Sequence, residues 1–300
     1  MALMTPIPPS PTPQIPRRRF LAKTAAGLVG AMAASLGASE QSPRKVKIAA
    51  IALATLDGML ESNYARAVRM AEISLQYKPD IILLPEAFAA GYGGQPLAEC
   101  AEDEGKSEHL AQFRRLSARS DCMIVLGYLE KVEGSPRVRN AVAVYDRGQL
   151  VGRHYKHNLW PDARRPYRDE PSLMIAGKEV EIFRTRLGRF AILICYENSF
   201  VANWDALPGK VDFVLSPYNC QGDSSHHNLA NARRLGIPSA WADRTGTVYC
   251  GDGRYMMNAG TAGLVDAKGK TIIHSRPGTE RIVVGELEIG NSAPRPTTSS

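Results

Sequence analysis

From residue 45 onward, short runs rich in Val, Ile and Leu alternate with helix-length segments whose apolar residues recur at helical spacing, the pattern of an α/β chain. The runs at 46–53, 80–85, 122–129, 140–145, 190–195, 212–216, 239–242, 263–265 and 281–286 are expected strands. Between the first two, 62–77 is an expected helix: Tyr64, Val68, Ala71 and Leu75 fall on one face behind Ser62 as cap. Further helices are expected at 104–120 and 225–235. Asp146-Arg147-Gly148, Leu187-Gly188 and Asp266-Ala267-Lys268-Gly269 predict tight reversals between paired strands. No fixed-period repeat is visible, and 300 residues at 44% hydrophobic are enough to bury one large core.

The flanks read differently. Residues 1–16 hold six prolines, which propagate neither helix nor interior strand. Pro16-Arg17-Arg18-Arg19-Phe20-Leu21-Ala22-Lys23 then precedes an uncharged Ala/Gly-rich stretch to Ala38, too short and too weakly apolar to span a bilayer, for which roughly 20 apolar residues are needed. Charge followed by a mild apolar run resembles a twin-arginine export signal, which implies the export machinery as a partner of the precursor and a periplasmic or secreted product. The expected organisation is a Pro-rich, disordered leader and signal at 1–44, one domain at 45–290 and a disordered tail at 291–300.

The formal charge of +7 suggests nucleic acid only until its distribution is considered: Arg17, Arg18, Arg19 and Lys23 are the only charges before Glu40, and without them 7 − 4 = +3 remains. No recognition-helix or zinc-finger spacing is present, so no nucleic-acid partner is expected. Five cysteines (Cys100, Cys122, Cys195, Cys220, Cys250) without a CxxC pair indicate neither a zinc site nor a disulfide framework. Cys122 reads as a core residue on a buried strand and Cys220 as a packed thiol. His226-His227 reads as a solvated helix start, because adjacent helical residues diverge by about 100° and cannot readily face one ion.

Three strand exits carry chemistry. Arg189-Phe190-Ala191-Ile192-Leu193-Ile194 ends in Cys195, Asp80-Ile81-Ile82-Leu83-Leu84-Pro85 delivers Glu86, and Lys156 follows Leu150-Val151-Gly152 and Arg153-His154-Tyr155. The carboxyl ends of strands are where α/β proteins build active sites. A thiol with an ordinary pKa near ~8.5 needs a base to take its proton, and attack on a carbonyl or nitrile builds negative charge that an ammonium and a backbone N–H stabilise. Singly, a strand-end Glu or Lys is more often a solvated edge group and an isolated Cys more often core filler.

Jointly, Pro85-Glu86 with Phe88 and Gly91-Tyr92, then Tyr155-Lys156, then Cys195-Tyr196-Glu197 resemble the Glu-Lys-Cys arrangement of the nitrilase, or carbon-nitrogen hydrolase, superfamily, from residue 46 to about 289. Asp212-Phe213-Val214-Leu215-Ser216-Pro217, Ala242-Asp243-Arg244-Thr245-Gly246 and Asn258-Ala259-Gly260-Thr261-Ala262-Gly263 extend it. The resemblance implies an α-β-β-α sandwich, hydrolysis of a non-peptide carbon-nitrogen bond through a cysteine thioester, no cofactor or metal, and a homo-oligomer. It assigns Cys195 as nucleophile, Glu86 as base, Lys156 and the Tyr196 amide to charge stabilisation, and Glu170 as a second, positioning glutamate, with Asp169 as the alternative. Tyr92, Trp160, Tyr218, Asn219 and Glu197 are expected to bind substrate.

Cys-Tyr-Glu-Asn is a hybrid of the nucleophile motifs of N-acyltransferases and true nitrilases, so the substrate is open among a small amide, which is favoured, a carbamoyl compound and a nitrile. Acyl transfer, a papain-like Cys-His pair and a non-catalytic secreted binding protein are the alternatives.

Overall fold

The computed structural model describes residues 44–92, 96–249 and 253–290, and the expected leader and tail lie outside these apart from Arg44. The strands in chain order are β1 (Arg44–Leu56), β2 (Ile81–Leu83), β3 (Met123–Glu130), β4 (Arg139–Asp146), β5 (Gln149–Tyr155), β6 (Ile182–Thr185), β7 (Gly188–Ile192), β8 (Phe213–Tyr218), β9 (Ser239–Tyr249), β10 (Tyr255–Ala259), β11 (Ala262–Val265), β12 (Thr271–His274) and β13 (Arg281–Ile289). The helices are α1 (Leu60–Ser74), α2 (Glu108–Ser120), α3 (Glu170–Leu173), α4 (Val201–Asp205) and α5 (Ser225–Leu235). None of the described helices is long and apolar enough to cross a membrane.

One sheet runs β13-β1-β2-β3-β4-β5, with β1, β2 and β3 parallel. The other runs β6-β7-β8-β9-β11-β12, with β7, β8 and β9 parallel. The long β1 and β9 pair with each other beyond Leu53 and Arg244 and so join the two sheets. Between the sheets lies a core built from Ile48, Ala50, Leu83, Val125, Val142, Phe190, Ile192, Phe213 and Leu215. The opposite residues of the first sheet, Ala49, Ile51, Ile82, Ile124 and Ala143, meet α1 and α2 through Tyr64, Ala67, Leu110 and Phe113. Outside the second sheet, Trp204 of α4 packs on Ala191 and Val214, and Ala232 of α5 packs by Trp241. The layers are therefore helix, sheet, sheet, helix, as expected. Strands covered on both faces read as unbroken apolar runs, which is why they stand out in the sequence.

The three expected reversals join β4 to β5, β6 to β7 and β11 to β12. In the first, Arg147 and Gly148 both take positive φ (50° and 78°), the geometry that suits the twist of a two-residue hairpin. Some boundaries differ from expectation. Helix α1 starts at Leu60, so Ser62 lies inside it and caps nothing; the preceding turn is held by Asn63, whose Oδ1 accepts from Leu56 N at 3.1 Å. Helix α2 starts at Glu108 with Ser107 as its cap, accepting from Leu110 N at 3.1 Å. The run 190–195 leaves the sheet after Ile192, and β6, β10 and β12 carry no pattern that predicts them.

Candidate active site

Glu86 stands just beyond β2, on a turn that Gly127 of β3 makes room for: a Cβ at Gly127 would lie 2.4 Å from Pro85 O and 2.7 Å from Glu86 Cα. The Glu86 N–H donates to Tyr218 O at the end of β8 (3.2 Å), which ties the turn to the second sheet. Lys156 follows β5 and continues its ladder, its N–H donating to Asn140 O at 2.9 Å. Lys156 Nζ donates to Glu86 Oε1 at 2.7 Å and to Glu170 Oε1 at 2.8 Å, all three side chains being buried. Glu86 Oε1 also accepts from Asn140 Nδ2 at 2.7 Å, and the Tyr92 hydroxyl lies 2.5 Å from Glu170 Oε1 and 3.3 Å from Glu86 Oε1. Glu86 Oε2, in contrast, is buried without a hydrogen-bond partner.

Burial works against the Lys156 ammonium, but Glu170 and Glu86 outweigh it and hold its pKa well above the usual lysine value. Burial, opposed by Lys156 and reinforced by Glu86, holds Glu170 above the usual carboxylate range. Glu170, not Asp169, is the second carboxylate: its Oε2 accepts from Trp160 N at 2.6 Å, whereas Asp169 Oδ1 accepts from Asp162 N at 2.9 Å and has no contact with Lys156.

Cys195 opens a tight 3-10 turn, Cys195–Ser199, with φ at 45°. A left-handed cysteine costs of order ~1–3 kcal/mol and persists only where its surroundings over-determine it. Two neighbours do so. Glu197 Oε2 accepts from Ile194 N at 2.6 Å, and Asn198 Nδ2 donates to Leu193 O at 2.8 Å and Cys195 O at 3.2 Å. A turn starting here leaves its first N–H groups, that of Tyr196 among them, without helical partners. Glu197 is also bound to the strand end that carries Lys156: its Oε2 lies 2.9 Å from His154 Nε2, and its Oε1 accepts from His157 N at 2.7 Å and lies 2.5 Å from His157 Nδ1. Burial opposes the charge on Glu197, but His154 and His157 overcome it and its pKa falls below the usual range.

Glu86, Lys156, Glu170 and Cys195 line one cavity of about 380 Å³ together with Tyr92, Trp160, Tyr196, Tyr218 and Asn219. Trp160 stands edge-on to Tyr196, ring centroids 4.9 Å apart. Two expectations need correction. Glu197 is fully buried beneath the turn and is absent from the cavity wall, so it braces the turn at Cys195 and lines no space for a substrate. Cys220 is a half-buried wall residue, donating to Asp243 Oδ2 at 3.0 Å; the Cys195 side chain, burial and Asp243 push its thiol well above the ordinary value. His226 and His227 stand in the first turn of α5, His226 exposed as expected of a solvated helix start, and both also line the cavity, their rings 3.9 Å apart.

Asn140 and Arg168 escape sequence reasoning. Asn140 is the polar residue in an otherwise apolar strand run, a weak signal; Arg168 sits among three arginines with nothing to single it out. His154, His157 and Glu197 bring ligand atoms within 4.8 Å of one another, but both Glu197 oxygens already accept backbone N–H groups, as in a structural ion pair.

The model of the family described as carbon-nitrogen hydrolase matches residues 47–294. The chain belongs to the carbon-nitrogen hydrolase family. Over 178 residues the chain is 27% identical to a "Probable nitrilase" of Schizosaccharomyces pombe, a stretch covering 56% of this chain and 62% of that one. Its fold matches that of the glutamine-dependent NAD+ synthetase of Acinetobacter baumannii (TM-score 0.69, 21% identity) over 81% of this chain but 45% of the synthetase, so the chain spans about half of that protein. It also matches an amidase of Nesterenkonia sp. AN1 (TM-score 0.67, 17% identity, 80% of this chain and 92% of that one), in a glutamate-to-glutamine mutant showing Michael addition of acrylamide at the active site cysteine. The α-β-β-α sandwich of the chain is that of its nitrilase-like neighbours.

Proposed function

We propose that this carbon-nitrogen hydrolase cleaves a small amide through a thioester on Cys195, with Glu86 as general base and Glu170 holding Lys156 in place. The observation that carries this reading is Glu86 Oε2, a buried carboxylate oxygen without a partner in a residue that lines the same cavity as Cys195, while Oε1 is held by Asn140 and Lys156. Such a carboxylate is fixed in orientation and keeps one oxygen for a proton. Glu86 takes the proton of Cys195 as sulfur attacks the amide carbon. The oxygen that gains charge is met by a remaining hydrogen of Lys156 and by the Tyr196 N–H; one donor of this kind is worth roughly 3 kcal/mol of transition-state stabilisation. The nitrogen leaves with the proton from Glu86. Water then gives a proton to Glu86 and attacks the thioester, releasing the acid and returning the proton to Cys195.

The test is release of ammonia from a panel of small amides, carbamoyl compounds and nitriles by the wild type and by Cys195→Ala. Turnover of amides by the wild type alone is expected. Turnover by Cys195→Ala at a comparable rate, or a preference for nitriles, would overturn this reading. We also propose, from residues 17–23, that the precursor is exported by the twin-arginine route and that the product acts as a homo-oligomer. Changing Arg17 and Arg18 together to Lys should retain the protein in the cytoplasm, and light scattering should give a mass above that of one chain.

A further inference from the structure

We infer that the cavity accepts an amide whose far end carries a carboxylate, and that Arg168 binds that carboxylate. This rests on the amide reading above and adds the substrate class. Arg168 ends a short 3-10 turn, Pro166–Arg168, two residues before Glu170. It is only 9% exposed and lines the cavity, yet its side chain has no hydrogen bond or ion pair among the described residues, and its Nη1 is buried without a partner. Its recorded contact is with the Tyr92 ring, 5.8 Å from guanidinium to centroid.

The neighbouring charges are already engaged. Arg165 is paired with Asp162 at 2.8 Å, Glu170 with Lys156, and Asp223 accepts from Ser225 N at 2.9 Å and Thr261 Oγ1 at 3.1 Å. A buried guanidinium left alone is costly, and an anion that enters with the substrate offsets that cost. Arg168 is a wall cation without an acidic partner among the described residues, and the planar fork of arginine fits a carboxylate through two parallel hydrogen bonds.

Tyr92 connects the two parts of the site: its ring faces Arg168 and its hydroxyl meets Glu170 and Glu86. A cavity of about 380 Å³ that both Arg168 and Cys195 line has room for the half-amide of a short dicarboxylic acid.

The test is calorimetric titration of Cys195→Ala protein with succinamic and glutaramic acids, each against its diamide, which has the same shape without the charge. The half-amides are expected to bind roughly 10- to 100-fold more tightly than the diamides, the gain of a charged bidentate contact. Arg168→Gln in the same background should bring that ratio close to one, and Arg168→Lys should keep part of it. Equal binding of half-amide and diamide, or a preference that survives Arg168→Gln, overturns the inference. The first comparison needs no Arg168 variant, so it stands even if a variant fails to fold. Wild-type turnover separates the two readings: equal hydrolysis of diamides and half-amides retains the amide reading and removes this one, whereas tight half-amide binding without hydrolysis does the reverse.

Discussion

Two buried carboxylate clusters hang from the same strand end, and their difference shows what a site requires. His154 and Lys156 are two residues apart in chain and both are buried. Lys156 meets Glu86 and Glu170, and His154 meets Glu197. In residue types the two are alike. In the first cluster one carboxylate oxygen, Glu86 Oε2, has no partner, and all three residues reach the cavity. In the second, both Glu197 oxygens are taken, by His154, His157 and two backbone N–H groups, and Glu197 does not reach the cavity. An unpartnered oxygen in a residue that lines a cavity, more than the presence of acids and bases, sets the first cluster apart; the closed cluster fixes the shape of the turn beside it.

The contrast can be broken by substitution. Cys195→Ala should lower kcat by at least about 10³-fold, since the other wall thiol, Cys220, donates to Asp243 and is held well above the ordinary thiol pKa, without lowering Tm. Lys156→Met should abolish turnover and also cost about 3–5 kcal/mol in chemical denaturation, because Glu86 and Glu170 then face each other without their shared cation. The deficit should shrink toward pH 5, where one carboxylate can hold a proton, and widen toward pH 8; a deficit independent of pH would contradict the shared-cation account.

Glu197→Gln removes the closed cluster and should cost about 2 kcal/mol of stability, with a fall in kcat smaller than that of Cys195→Ala and little change in KM. Its pH dependence is defined. The hydrogen bond to Glu197, against the opposing effect of burial, raises the His157 pKa above its unfolded value, so this contribution is fully present below about pH 6.5 and is lost as pH rises through the folded pKa. Glu197 itself is depressed, so its own contribution is lost only in strong acid. The stability difference between wild type and variant should therefore narrow on the alkaline side, and thermal melts from pH 5 to 9 measure it. Gly127→Ala should cost roughly 1–3 kcal/mol of stability and should reduce kcat, because the new Cβ would meet the backbone of Pro85 and Glu86 and displace the turn that aims Glu86.

How much of this the sequence carries depends on what each residue needs from distant chain. Strands β1, β3 and β8 are covered on both faces, so their composition alone marks them. Tyr255 and Met257 of β10 and Ile272 of β12 are exposed, and no periodic pattern survives there. Glu86 and Cys195 are legible because each follows an apolar run, and Lys156, at the end of the half-polar β5, because the order of the three resembles a known family. Glu197 misleads because adjacency to the nucleophile suggests a shared surface, whereas the tight turn at Cys195 puts Tyr196 on the cavity wall and Glu197 into the interior. Asn140 matters through its bonds to Glu86 and Tyr92 and Arg168 through its place over the Tyr92 ring, both set by distant chain, and nothing local identifies them.

The central claim is a covalent acyl group on Cys195, and partitioning with hydroxylamine tests it most directly. With a small amide substrate, wild-type protein should form the hydroxamic acid at the expense of the free acid as hydroxylamine is added, at an unchanged rate of ammonia release if thioester breakdown is not limiting, and Cys195→Ala should form neither product. Ammonia released with no hydroxamic acid at any hydroxylamine concentration would mean that water attacks the amide directly, and that the sulfur of Cys195 never carries the acyl group.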